Sequence, residues 1–483
     1  MNFKLILKLI SNVLKAQAIL FLFPFAVSLI YGEDARVFLI TAVLSAVCGM
    51  ALTLIKPTDK KFKIKDAFFA AALSWIVVSL FGALPFWFCG GFESGFKNFA
   101  DCVFESVSGF TTTGATILSD IESLPKGIIF WRGFSHWVGG MGVLMIMLAV
   151  LPTVNASSMN LMRVESTGPS PNKVVPKIKD TARVMYLIYG VMSAVLLILL
   201  LVTGLPLFDA FMHMFSVAGT GGFSNMNASE GAYGNLPAEI IMSVFMFLFG
   251  INFTLYYYLI NRRFKQFFAD GELRLYFGIV AASIIIITVN ITGLCGSVGE
   301  ALRHSSFQVV SVISTTGFST MDFNLWPELS KSILVFLMFT GCCAGSTGGG
   351  VKIVRLLLLF KVIRNEIKKI IYPKSVEAIT LNGRRAESEI ISRAALFFFV
   401  YFMFFFAAII LISADGNNFT VNSTAVISTL GNNGPGLDII GPAGNYGGFS
   451  SFSKIVLSVC MLAGRLEFFP LMILFNPLAW KKS

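Results

Sequence analysis

Charge is what this sequence has least of. Asp, Glu, Lys and Arg make up 13% of its 483 residues, where soluble globular chains carry roughly a quarter. A water-soluble fold is thereby excluded. Histidine is scarcer still. The three present, His136, His213 and His304, are far apart and lack H-E-x-x-H spacing, which argues against a metalloprotease embedded in the bilayer. The seven cysteines (Cys48, Cys89, Cys102, Cys295, Cys342, Cys343, Cys460) are odd in number, form no C-x-x-C and lie mostly in or beside apolar stretches. They are neither a disulfide framework nor a zinc site. No G-x-G-x-x-G unit follows a predicted strand, so any nucleotide sensing must come from outside the chain, and no cofactor is expected on it. The charge that is present leans positive, with 37 Lys+Arg against 26 Asp+Glu. On a soluble protein that excess would suggest nucleic acid; here basic loops that fix membrane orientation account for it, and no nucleic-acid binding is read from it.

What the chain has in quantity is apolar length: 55% of residues are hydrophobic and 49 are Phe. A helix needs about 20 apolar residues to cross the hydrocarbon core. About ten such windows stand near 10–30, 36–55, 66–88, 128–151, 183–203, 238–260, 273–293, 332–360, 394–413 and 454–477. The first is read as a mature span and not a secretory signal, because Lys4, Lys8 and Lys15 run deep into it and no small-residue cleavage site follows. Basic residues concentrate in alternate connections. Lys56, Lys60, Lys61, Lys63 and Lys65 fill one; Arg163, Lys173, Lys177, Lys179 and Arg183 the next; then come Arg262, Arg263, Lys265 and Arg274, and finally a loop from Lys361 to Arg393. The positive-inside rule places these loops in the cytoplasm and, with ten spans, both termini there as well, in keeping with Lys481 and Lys482.

The outer connections, 89–127, 204–237, 294–331 and 414–453, are long, and each opens with an apolar stretch too short to span. Laid over one another they read S-G-F-T-T-T-G (Ser108 to Gly114), S-V-A-G-T-G-G (Ser216 to Gly222), S-V-I-S-T-T-G (Ser311 to Gly317) and S-T-L-G-N-N-G (Ser428 to Gly434). Each begins with Ser and ends with Gly, and each interval between copies holds two full spans. A repeat of this kind sets the architecture before any local motif does. It predicts span, short re-entrant helix, extended loop, span, four times over.

Non-helical backbone at membrane depth is tolerated only where it is buried in protein or lines water. Four copies around an axis would supply such a pore. The residues at the turn are Thr112, Thr113 and Gly114; Thr220, Gly221 and Gly222; Thr315, Thr316 and Gly317; and Asn432, Asn433 and Gly434. Small side chains let carbonyl oxygens face inward, and Gly permits backbone dihedrals closed to other residues. Rings of carbonyls can replace the hydration shell of a monovalent cation. No carboxylate lies within the four aligned loops, which disfavours a divalent site. A dehydrated potassium-sized ion is the expected ligand. The plain alternative is that Ser, Thr and Gly only let helices pack closely, but that explains one copy better than four in register.

With S-G-F-T-T-T-G-A-T (Ser108 to Thr116), H-W-V-G-G-M-G (His136 to Gly142), R-V-E-S-T-G-P (Arg163 to Pro169), G-C-C-A-G-S-T-G-G-G-V-K (Gly341 to Lys352) and G-R-L-E-F-F-P (Gly464 to Pro470), the sequence resembles the TrkH/KtrB superfamily of potassium transporters, on its TrkH side, over nearly the whole chain. The resemblance implies an all-α integral membrane protein with four non-identical membrane–pore helix–membrane repeats around one pore. Two extra N-terminal helices would precede them. The expected divisions are an N-terminal extension at 1–60, then repeats at 61–155, 156–262, 263–375 and 376–483. The resemblance also implies a homodimer in the bacterial inner membrane, K⁺ at the loop residues, and a cytosolic TrkA-like ring of nucleotide-binding domains as regulator. The fourth loop departs most from the others, with Asn432 and Asn433 where threonines would stand.

Two further features carry alternatives. Gly345, Ser346, Thr347, Gly348, Gly349 and Gly350 interrupt an apolar segment from Ile333 to Phe360, and each Gly costs a helix roughly 1 kcal/mol against Ala. A P-loop would need K-[ST] after the last Gly, and Val351 stands there. A packing kink remains as one reading; a plug beneath the pore loops is the other, and the family has an intramembrane gate at this position. Arg465 lies inside the last apolar window, where an unpaired cation costs at least about 2.5 kcal/mol. Either it pairs with Glu467 or snorkels, or it faces the pore axis and donates to the carbonyls of the glycine-rich segment; Lys352 is its companion candidate. Glu105, His213 and Gln308 share one repeat position and are read as holding their loops by hydrogen bonds.

Three functions compete: a K⁺ channel or transporter, a membrane enzyme, and a proton- or sodium-coupled symporter with the same pore plan. The enzyme lacks a clustered nucleophile and base. The proton symporter needs a titratable relay within the bilayer, and acidic residues are sparse there. The two longest cytoplasmic loops, 152–182 and 361–393, are basic and too poor in apolar residues to fold alone, which suits either a soluble partner or anionic lipid headgroups.

Overall fold

The computed structural model describes residues 1–55, 63–90, 95–142, 178–374, 378–382 and 384–480. Lys56, Lys60, Lys61, Lys481 and Lys482, the motif from Arg163 to Pro169 with Lys173 and Lys177, and the second half of the 128–151 window lie outside them.

Helices dominate in chain order: α1 (Phe3–Leu20), α2 (Leu22–Ile30), α3 (Arg36–Thr53), α4 (Ile64–Phe88), α5 (Phe99–Phe110), α6 (Lys126–Gly140), α7 (Ile178–Val202), α8 (Leu207–Gly219), α9 (Leu236–Phe249), α10 (Phe253–Ile260), α11 (Phe264–Phe268), α12 (Gly271–Cys295), α13 (Val298–Ile313), α14 (Glu328–Thr340) and α15 (Ile353–Ile371). A hairpin of β1 (Thr380–Leu381) and β2 (Arg384–Arg385) follows, then α16 (Ser388–Ile412), α17 (Phe419–Gly431), α18 (Ser451–Arg465), α19 (Phe469–Phe475) and α20 (Pro477–Trp480). Among the described residues six helical segments are long and apolar enough to cross a membrane: Phe3–Ile30, Arg36–Thr53, Lys65–Phe88, Arg183–Val202, Gly271–Cys295 and Ser388–Asp415.

Three of the remaining windows are broken rather than straight. The 238–260 window bends by 96° between α9 and α10. Asn252 causes the restart, because its side chain accepts from Thr254 N at 2.9 Å and caps a helix that sets off in a new direction. The 454–477 window breaks after Arg465, where Glu467 and Phe468 both adopt positive φ and Pro470 opens α19. The 332–360 window breaks from Gly341 to Lys352, a wider interruption than the glycine run alone.

Four short helices, α5, α8, α13 and α17, run inward between the spans and bury their last turns completely. Asn98, Ser297 and Asn418 cap the first, third and fourth of them with side-chain oxygens, which fixes where each begins. Glycines set how closely the walls approach. A Cβ at Gly139 of α6 would overlap the Phe110 carbonyl at the end of α5, and one at Gly219 of α8 would overlap the His136 carbonyl. Both chain ends lie at one face, since the Phe3 and Trp480 rings are 5.9 Å apart and both rings meet Phe69.

The first and last of these units meet through a buried ion pair, Lys454 of α18 with Asp101 of α5, at 2.7 Å and with side chains 4% and 1% exposed. Removing one partner of a buried pair strands the other charge, at a cost of about 3–5 kcal/mol. Lys454→Met should therefore lower the thermal denaturation midpoint in detergent well beyond the effect of Lys331→Met, whose partner Glu328 is exposed; equal shifts would show that the buried pair does not hold the ring closed.

Candidate functional site

After each short helix the chain turns back in the same way. The N–H of the middle turn residue bonds the carbonyl of the serine that opens each repeat copy: Thr113 to Ser108, Gly221 to Ser216, Thr316 to Ser311 and Asn433 to Ser428, at 2.8–2.9 Å. The residue before it is left-handed in all four loops, with φ of 56° at Thr112, 53° at Thr220, 60° at Thr315 and 54° at Asn432. The glycine after it is left-handed too, at 78°, 78°, 85° and 92° for Gly114, Gly222, Gly317 and Gly434. Threonine seldom adopts positive φ, whereas Asn does so several-fold more readily, so the Asn432 departure suits its conformation. Positive φ therefore flanks the middle turn residue in every loop.

The loops close on one another in cyclic order. A Cβ on Gly114 would strike the carbonyl oxygen of Gly221; one on Gly222, that of Thr316; one on Gly317, that of Asn433; and one on Gly434 would lie 2.7 Å from that of Thr113. Four glycines and four carbonyls thus alternate around a closed circle, and every other turn residue except Gly114, Gly222 and Gly317 is buried. At the outer rim the same neighbours are joined again: Ile121 N to Asn227 Oδ1 at 2.8 Å, Gly231 N to the Ser319 carbonyl at 3.2 Å, Asp438 N to Asn324 Oδ1 at 2.9 Å, and Tyr446 N to the Thr116 carbonyl at 2.8 Å.

Different side chains hold each loop from behind. Glu105 accepts from Thr116 Oγ1 at 2.9 Å and Ile117 N at 3.1 Å and pairs with Arg132 at 2.8 Å, wholly out of solvent. Arg132 reaches on to the Ser224 carbonyl and lies 4.2 Å from the Phe223 ring centre, tying the first loop to the second. His136 bridges the same two loops. Its Nε2 accepts from Phe223 N at 3.2 Å, so Nδ1 carries the proton and donates to the Gly109 carbonyl at 2.8 Å; its ring also fills the space that a side chain at Gly221 would need. His213 pairs with Glu230 at 2.6 Å. Gln308 reaches the Phe318 carbonyl only at 3.5 Å, and Ser311 holds that carbonyl better, at 2.6 Å. In the fourth loop the Gly434 carbonyl takes both Ser428 Oγ at 2.7 Å and Tyr446 Oη at 2.9 Å. Sequence reading reached Glu105, His213 and Gln308 but not Arg132, Glu230 or Tyr446. A cation inside the 128–151 window was the one available signal for Arg132.

The segment Gly341–Lys352 packs against the third and fourth loops and against the break between α9 and α10. Gly349 N donates to Thr315 Oγ1 at 2.9 Å, and a Cβ on Gly349 would meet the Gly431 carbonyl. Thr347 Oγ1 donates to the Phe249 carbonyl at 3.3 Å, and the Gly345 carbonyl accepts from Phe253 N at 3.0 Å. Lys352, buried and left-handed at φ 71°, donates to the Gly348 carbonyl at 2.5 Å. Ser346 Oγ donates to the Cys343 carbonyl at 2.5 Å. Arg465 reaches across to this segment, donating to the Thr347 carbonyl at 2.7 Å and to the Gly139 and Gly140 carbonyls at 2.5 and 2.8 Å. The donation to the segment's carbonyls, one of the alternatives for Arg465, is present at Thr347. Glu467 pairs with Arg355, whose guanidinium stacks 3.8 Å from the Phe397 ring centre.

Four re-entrant helix–loop units closed on one another inside a bundle of apolar helices define a polytopic α-helical membrane protein of the pore-loop class. The chain matches the TrkH family, described as cation transport proteins, over residues 34–481. It belongs to that family, which is one of transporters and not of enzymes. It is 35% identical to the Trk system potassium uptake protein TrkH of Salmonella typhimurium over the full length of both chains. It is 31% identical to the Trk system potassium uptake protein TrkG of Escherichia coli, over 95% of this chain and 94% of that one. The crystal structure of the potassium transporter TrkH from Vibrio parahaemolyticus superposes on it with a TM-score of 0.88 at 31% identity, covering all of both chains.

Proposed function

We propose that this chain takes up K⁺ across the bacterial inner membrane, with both termini cytoplasmic, through a filter formed by its four loops. The observation that carries this reading is the closed circle in which Gly114, Gly222, Gly317 and Gly434 each abut a carbonyl of the next loop. A ring of backbone oxygens offers a dehydrated monovalent cation what its water shell offered, and potassium uptake is what the named relatives do. Thr112, Thr113, Thr220, Gly221, Thr315, Thr316, Asn432 and Asn433 supply the rest of the filter backbone. Gly345 to Gly350, with Lys352 and Arg465, form the gate on its inner side. The repeats divide near 61, 156, 263 and 376. The working assembly is a homodimer carrying a TrkA-like nucleotide-binding ring on its basic cytoplasmic loops.

Passive conduction is the reading we favour over symport. Purified protein in proteoliposomes should show a reversal potential that follows the K⁺ gradient and stays fixed when the proton or sodium gradient is varied. ATP or ADP should change the flux only when the partner ring is added. A reversal potential that moves with the proton gradient would establish the symporter instead, and a nucleotide effect on the chain alone would remove the partner from the scheme.

A further inference from the structure

The two ends of the glycine-rich segment meet on one atom. Glu272, in the first turn of α12 and buried, accepts through Oε1 from Ala344 N at 2.7 Å and from Val354 N at 2.9 Å. Ala344 immediately precedes Gly345, and Val354 is the second residue of α15, so a single carboxylate oxygen draws the neck of the segment together. α15 has no side-chain cap of its own at Lys352. Its first amides have no intrahelical acceptor, and Glu272 supplies one from another helix. One oxygen thereby accepts an amide from each end of the segment, and leaving a buried amide without an acceptor is costly. The first turn of α12 also places that carboxylate where the helix dipole favours an anion.

The base of this staple is itself anchored. Asp270 Oδ1 caps α12 at Leu273 N, 2.9 Å away. Asn382, in the turn of the β1–β2 hairpin, donates to Asp270 Oδ2 at 2.6 Å and accepts from Gly271 N at 2.9 Å. Lys361 of α15 donates to the Thr380 carbonyl of the same hairpin at 2.6 Å. Helix α12 is thus fixed beside α15, and movement of α15 away from it must break the bonds at Glu272.

We propose that Glu272 is a positioning residue of the gate: by holding Ala344 and Val354 on one oxygen it keeps the segment packed against Thr315 and Arg465, and its release lets the neck open and the segment withdraw. The proposal rests on the reading of Gly345 to Gly350 as a gate. The whole chain in proteoliposomes tests it, as the parent, Glu272→Ala, a deletion of Gly345 to Gly350, and the two changes combined, with Glu272→Gln and Glu272→Asp beside them. K⁺ flux is measured without the partner ring, alongside hydrogen exchange at the Ala344 and Val354 amides. Glu272→Ala should raise flux roughly tenfold, the effect of losing about one such bond, and should speed exchange at both amides. In the deleted background it should change nothing further. Glu272→Gln, which keeps an acceptor oxygen at the same reach, should fall between parent and Ala. Should the Ala variant fail to fold, Glu272→Asp, which withdraws the oxygen by one methylene, should exceed Gln in flux. If the deletion raises flux and Glu272→Ala and Glu272→Asp do not, the staple is wrong and the gate stands. If the deletion leaves flux unchanged, the gate reading fails and the proposal with it. An equal effect of Glu272→Ala in both backgrounds would show that it acts elsewhere and would also overturn the proposal.

Discussion

Replacing Gly114, Gly222, Gly317 or Gly434 by Ser should cost K⁺ preference over Na⁺ before it costs expression. Two effects act together at each site. A β-carbon at left-handed φ is strained by about 1–2 kcal/mol. In addition, that carbon points at a carbonyl oxygen of the neighbouring loop, which must move away. The displaced carbonyl is one of the four in the ring, so the strain is relieved by distorting the groups proposed to replace the ion's water. Loss of about 1.4 kcal/mol of differential coordination is a tenfold loss of preference, and that is the least expected at Gly114 and Gly222, where the approach is closest. Gly434 should be mildest, because its Cβ would stand 2.7 Å from the Thr113 carbonyl. The caps that start the short helices at Asn98, Ser297 and Asn418, and the buried Lys454–Asp101 pair, lie a helix length away from these substitutions, which is why assembly should survive. The ratio of Rb⁺ or K⁺ uptake to Na⁺ uptake in a K⁺-starved host gives the measurement. Unchanged ratios in all four variants would remove the filter from these loops.

The architecture was readable because its signals are periodic and redundant: apolar windows, alternate basic loops, and a serine-to-glycine spacing that recurs. What was not readable is what closure of the ring decides. Thr112, Thr220 and Thr315 adopt positive φ against their own preference, where the next N–H bonds back to the serine carbonyl and closes the turn. The break at Gly341–Lys352 showed in its glycines, whereas those at Gly250 and at Glu467–Phe468 lie among residues that read as continuous apolar helix. Pairings between distant residues were equally hidden. Glu105 signalled a structural role, but its partner Arg132 sits on the next helix, and Glu467, two residues from Arg465, pairs with Arg355, more than a hundred residues away in sequence. Glu272 stood at the edge of a window, where a carboxylate passes for a boundary.

Arg465→Ala, or deletion of Gly345 to Gly350, should raise K⁺ flux in the absence of the partner ring. The guanidinium spans from the Thr347 carbonyl of the segment to the Gly139 and Gly140 carbonyls on the other side, so it ties the segment in place and, on the proposed path, would present a positive charge to an ion leaving the loops. At 4 Å, in an environment of effective dielectric constant near 20, two unit charges repel by about 4 kcal/mol, enough to dominate passage if nothing offsets it. Removing the charge and the tether together should therefore raise flux at least tenfold. Two further substitutions separate the causes. Arg465→Lys keeps the charge but cannot bridge three carbonyls, and Arg465→Gln keeps donors without the charge. If repulsion is the main barrier, flux should order as Gln above Lys, with Ala highest; if the tether dominates, Lys should rise to the level of Ala while Gln stays lower. The deletion removes the segment that packs on Thr315 and Gly431 and should match or exceed Ala. Flux that is unchanged or reduced in stably folded Ala and deletion variants would show that neither Arg465 nor the segment obstructs the path, and the inner barrier would have to lie elsewhere.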